Sequence, residues 1–135
     1  VLVAMEHFVE RAAMAAILRE SGFAILEASS TEGVLRSVRE RAVHCVLVDL
    51  ELKTAAGKGA LDACRELRLE HEGATAPAIV CLSKSREPHA TALEAGADSF
   101  LALPADPAVL VASVHALLRS RAAWAAPPRP DGAAP

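Results

Sequence analysis

The chain has 135 residues, 53% of them hydrophobic, which suits one domain with one core and excludes a disordered polymer. With 14 basic against 17 acidic residues the net charge is −3, so the sequence offers no broad basic field for nucleic acid or an anionic membrane. Aromatic residues are 3% of the chain and tyrosine is absent, which removes a base-stacking platform.

Val1 to Ala4 is a short apolar run that predicts a first strand, followed by a loop at Met5-Glu6-His7. From Phe8 to Ser21 the apolar residues recur at helical spacing, with Met14, Ile17 and Leu18 on one stripe, and Gly22 reads as the stop. Phe23 to Leu26 predicts the second strand. Ser29-Ser30-Thr31-Glu32 carries the S-x-x-E pattern of a capping box, opening a helix that turns Val34, Leu35 and Val38 inward and ends near Arg41.

Val43 to Val48 is an apolar, β-branched run closed abruptly by Asp49, the pattern of a strand buried on both faces. Leu50 to Lys58 is a loop in which Gly57 and Gly59 can supply unusual backbone angles. A third helix is expected from about Ala60 to Glu70, with Leu61, Cys64 and Leu67 inward, followed by a polar turn at 72–76. Pro77 to Leu82, ending at Ser83, predicts strand four, and a helix over about Glu87 to Ala95 stops at Gly96. Ser99 to Ala102 is strand five. Asp106-Pro107 then opens a last helix to about Arg121, with Val109, Leu110, Val114, Leu117 and Leu118 inward. Residues 122–135 are rich in alanine and proline and read as a flexible tail or linker.

Five short strands alternating with five helices predict an α/β fold with a doubly wound parallel sheet, and among known sheets of that kind the flavodoxin-like order 2-1-3-4-5 suits this length. Asp49 then falls at the carboxyl edge of the sheet, where such folds place their chemistry. Cys45, Cys64 and Cys81 are odd in number, lack C-x-x-C spacing and sit in apolar segments, so buried, reduced thiols are expected. The five histidines show no metal-binding spacing. No apolar run is long enough to span a bilayer and no signal peptide opens the chain, so a cytoplasmic location is expected. A start at Val1 rather than Met reads as a domain cut from a longer protein.

Several marks, in order, resemble the receiver domain of bacterial two-component response regulators over residues 1 to about 121. Glu6 is an acid in the loop after strand one, Asp49 ends strand three, and Ser83 ends strand four. Ala95-Gly96-Ala97-Asp98-Ser99-Phe100-Leu101 is similar to that family's A-G-A-D-D-Y-L segment, and Leu103-Pro104 stands at its Lys-Pro. The resemblance implies that Asp49 is a phosphoacceptor or its remnant, that Ser83 and Phe100 hold the switch positions, and that Glu6 and Asp49 form an acidic pocket for Mg²⁺. It also implies a histidine kinase or other signalling protein as partner, and a homodimer through helix 4, strand 5 and helix 5, a face that would include Arg86, Glu87, Glu94, Arg119 and Arg121.

The departures lie at charge-carrying positions. Met5 replaces the first acid of the family's pair, Leu103 replaces its lysine, and Lys53 replaces a loop proline. Moving a phosphoryl group onto a carboxylate needs positive charge to offset repulsion, and a thioether is a poor Mg²⁺ ligand. Lys84, beside Ser83, is the better substitute for the missing lysine. The expectation is therefore a degenerate, pseudo-receiver signalling domain, not an enzyme and without catalytic residues. It would act mainly through protein–protein contacts, with no cofactor or only weak Mg²⁺. The alternative is a working receiver phosphorylated on Asp49 by a histidine kinase, within a hybrid sensor kinase. A nucleotide-binding enzyme of similar fold is disfavoured, since neither G-x-G-x-x-G nor a P-loop occurs, and Ser83 has no His and Asp partners for a hydrolase triad.

Overall fold

A computed structural model describes residues 1–52, 59–71, 76–85 and 90–125, with side chains as far as residue 120. In chain order the elements are β1 (Leu2–Ala4), α1 (Phe8–Glu20), β2 (Leu26–Ala28), α2 (Thr31–Glu40) and β3 (Cys45–Asp49). They continue with α3 (Ala60–Glu70), β4 (Ala78–Ser83), α4 (Ala90–Glu94), β5 (Ser99–Ala102) and α5 (Pro107–Ala125). All strands run parallel, as the alternation predicts, in the order β2-β1-β3-β4-β5 expected of a doubly wound sheet of this length. Strand β3 is central and buried throughout.

Alternate residues of each strand serve opposite layers, because side chains on a strand point to the two faces in turn. Val46 and Val48 of β3, with Leu2, Ile79 and Cys81, pack under α2, α3 and α4, which supply Val34, Val38, Cys64, Leu67 and Ala92. Cys45 and Leu47, with Val3, Val80 and Leu82, pack under α1 and α5, which supply Met14, Leu18, Leu110 and Val114. Cys45, Cys64 and Cys81 are buried and form no disulfide. No helix among the described residues is long and apolar enough to cross a membrane.

Several expectations need correction. The second strand is Leu26–Ala28, not Phe23–Leu26. Phe23 and Ile25 do pack on the core, but β1 offers ladder partners only from Leu26 onward. Apolar pattern reports burial, and pairing needs a neighbour as well. Strands one and three likewise begin later than read, at Leu2 and Cys45. The α2 cap is Ser30, whose hydroxyl accepts from the Gly33 N–H at 3.1 Å, so the Ser29–Glu32 capping box does not form. Adjacent hydroxyls made the register ambiguous by one residue, and burial of Val34, Leu35 and Val38 decided it.

Gly59 has φ −103°, which any residue adopts; it caps α3, its N–H donating to Asp62 at 3.0 Å. Gly57 and Lys53 lie outside the described residues, as do the 72–75 stretch, the predicted start of the fourth helix and the tail from 126. Helix α5 begins as expected, with Asp106 Oδ1 accepting from the Ala108 and Val109 N–H groups, but it passes Arg121 to Ala125. A boundary at 121/122 would therefore cut a helix. Val109 is 51% exposed rather than inward; Leu110, next to it, takes the core position.

Gly22 and Gly96, which end α1 and α4, have φ +93° and +113°. At Gly96 space matters as well, since a Cβ would sit 2.4 Å from Arg68 Cγ. Arg68, on α3, donates to the Gly96 carbonyl (2.8 Å), the Pro77 carbonyl (2.9 Å) and the Asp98 carboxylate (2.5 Å). Asp98 also accepts from the Ile79 N–H at 2.8 Å. One guanidinium thus joins α3 to the residues that lead into β4 and into β5.

Candidate functional site

The carboxyl ends of β1, β3, β4 and β5 bring Met5, Asp49, Ser83, Lys84 and Leu103 to one edge of the sheet. Asp49 is 3% exposed. Its Oδ1 accepts from the Glu51 N–H at 2.9 Å, and its carbonyl accepts from Leu52 at 2.9 Å, a tight turn that leaves Leu52 fully buried. Burial pushes the Asp49 pKa above the usual carboxylate value. The Glu51 N–H opposes that rise, the charges of Glu51 and Glu10 add to it, and Lys84 pulls it back a little.

The other predicted residues surround this carboxyl unevenly. Met5 is 2% exposed and belongs to the core layer under α1 and α5, its N–H donating to the Ala28 carbonyl at 3.1 Å. Glu6 is exposed and is not among the groups that perturb Asp49. The Ser83 hydroxyl accepts from the Ser85 N–H at 3.1 Å, a local turn, while its carbonyl accepts from Leu103 at 2.7 Å. Leu103 is half-buried on the α1/α5 layer and precedes a cis peptide to Pro104. Phe100 packs on the opposite layer. Lys84 Nζ lies 3.8 Å from Glu51 Oε2, with both side chains more than half exposed.

Glu10 was missed in the sequence. It stands one helical turn after Glu6, on α1, and its charge adds to the rise at Asp49. The spacing was the available signal, but an acid in the first turn of a helix has an ordinary explanation in the helix dipole.

A sequence model of the response regulator receiver domain matches residues 1–115. The chain belongs to the receiver domain family. Its relatives include the transcriptional regulatory protein PrrA of Mycobacterium tuberculosis, 32% identical over 108 residues, which covers 80% of this chain and 45% of PrrA. The PrrA of Mycobacterium leprae matches equally, so this receiver domain spans about half the length of these curated relatives. Among solved structures, a probable two-component system response regulator/GGDEF domain protein superposes with a TM-score of 0.79 at 27% identity, over 89% of this chain and 49% of that one. The receiver domain of NtrX from Brucella abortus gives 0.76 at 22%, covering 88% and 98%, a likeness of fold.

Receiver domains commonly hold Mg²⁺ beside the acceptor. Here the donor set fits that ion poorly. Among the described residues no three His, Cys, Asp or Glu side chains converge. Asp49 has one oxygen engaged by Glu51, Glu6 is turned to solvent, and Met5 would offer only sulfur.

Proposed function

We propose that this receiver domain is a two-component signalling module that works mainly through protein–protein contacts, with phosphorylation of Asp49 impaired or absent. The observation that carries this reading is the charge balance around Asp49. The described groups acting on it are two carboxylates and one lysine, and that lysine is already paired with Glu51. Phosphoryl transfer onto Asp49 would bring further negative charge into a buried, acidic site. Met5 and Leu103, where the family resemblance puts an acid and a lysine, supply neither a metal ligand nor a cation.

The partner is a histidine kinase or another cytoplasmic signalling protein, and the domain itself is not an enzyme. A homodimer through α4, β5 and α5 fits this role. Glu94 and Arg119 are exposed there, while Arg86, Glu87 and the Arg121 side chain lie outside the described residues.

One observation favours a second reading, a slow phosphoacceptor: Lys84 does lower the Asp49 pKa, so its charge reaches the site. Incubation with acetyl phosphate and Mg²⁺, followed by intact mass, separates the two. Little or no adduct is expected. Stoichiometric addition that disappears in Asp49→Asn would overturn the first reading in favour of the second.

A further inference from the structure

Beside the Asp49 edge lies a cavity of about 520 Å³ between α1, α5 and the loop after β5. That volume is within the range of small-molecule sites. Its walls include Met5, Met14, Leu103 and Leu110, and the charged groups lining it are Glu10 and Lys84. Met5 and Leu103, the two apolar replacements at charge-carrying positions, therefore line one space. A carboxylate and an ammonium there would have made it polar; thioether and isobutyl groups make it a greasy slot.

The charges at its mouth are unbalanced. Lys84 is 3.8 Å from Glu51 and is engaged there. Glu10 has no hydrogen-bond or ion-pair partner among the described residues, and its negative charge acts on the buried Asp49. An occupant with an apolar body fits the walls, and one with a positive group answers Glu10. An anionic occupant would meet the Glu10 carboxylate and would have to displace Glu51 from Lys84.

We propose that this cavity is a binding site for a small hydrophobic amine, its apolar body between Met5, Met14, Leu103 and Leu110 and its ammonium on Glu10. The proposal rests on the cavity and its charges, and it stands whether or not Asp49 accepts phosphate.

The test uses the full chain and three probes of one skeleton: 1-naphthylmethylamine, 1-naphthylmethanol and 1-naphthoic acid, each titrated against backbone amide spectra. The amine is expected to give saturable shifts at Ala13, Met14, Leu103 and Leu110, with a dissociation constant of about 1 mM or tighter for a ligand of this size. Glu10→Gln, an exposed helix substitution, should weaken the amine roughly tenfold and leave the alcohol unchanged. Leu103→Lys, which puts a tethered ammonium in the slot, should abolish amine binding while circular dichroism reports a folded domain. Absence of saturable shifts at these residues would overturn the proposal. So would a carboxylate that binds as tightly as the amine, or an amine affinity indifferent to Glu10→Gln.

Discussion

At the residue scale, Asp49 is an acid that the fold makes harder to ionise. A carboxyl whose pKa is raised on folding holds its proton more tightly in the native state. Native stability therefore falls as pH rises from the unfolded carboxylate value through the raised native one. Asp49→Asn removes that loss and keeps an acceptor for the Glu51 N–H. The variant should melt roughly 3 °C above the wild type at pH 7, equivalent to about 1 kcal/mol, with the gap closing as pH is lowered towards 4. A variant that melts lower at pH 7 would contradict this. Thr31 offers a second single-residue test. Its hydroxyl is buried without a hydrogen-bond partner among the described residues. Thr31→Val should raise stability in urea unfolding by about 1 kcal/mol, since it removes an unpaired polar group at nearly constant shape. Asp49 was legible in the sequence because an acid closing an apolar strand is a sharp boundary. Glu10 was not, because an exposed glutamate on a helix has too many ordinary explanations.

At the element scale, what could be read was decided by how local the signal is. Helix α5 declared its start through Asp106-Pro107, and the cap is made by the expected side chain. The α2 start was legible to within one residue, because Ser29 and Ser30 are chemically interchangeable until the apolar face of the helix fixes the phase. Ser30→Ala should accordingly cost about 1 kcal/mol in urea unfolding, and Ser29→Ala almost nothing. The connection from β4 to β5 is less local. Asp98 joins a guanidinium from α3 to a backbone amide of β4, a partnership that no window of sequence reveals. Asp98→Ala would leave Arg68 with its carbonyl acceptors alone and the Ile79 N–H without its carboxylate. A loss of about 2 kcal/mol in urea unfolding, with unchanged strand content by circular dichroism, is expected.

At the scale of the whole molecule, a parallel sheet with helices on both faces followed from periodicity and the alternation of elements, while the order 2-1-3-4-5 is the one among known doubly wound sheets that suits this length. The electrostatic character of the site did not follow, because it depends on which side chains meet at one edge from four separate strands. The double substitution Met5→Asp with Leu103→Lys tests that character directly. It should raise labelling by acetyl phosphate in Mg²⁺ about tenfold or more over wild type, measured by intact mass. Without Mg²⁺ the same variant should melt lower, because it places a charged pair where the wild type packs apolar groups. The hold of Arg68 on Gly96, Pro77 and Asp98 carries a further meaning. The segment Ala95 to Asp98, part of the stretch that resembles the family's A-G-A-D-D-Y-L run, is spent on architecture. It closes a helix, clears a path for an arginine and fastens two strands, at a distance from any phosphoryl chemistry. Sequences gathered by that signature share a chassis, and under the function proposed above it is positions 5 and 103, not the signature, that would part silent members from active ones.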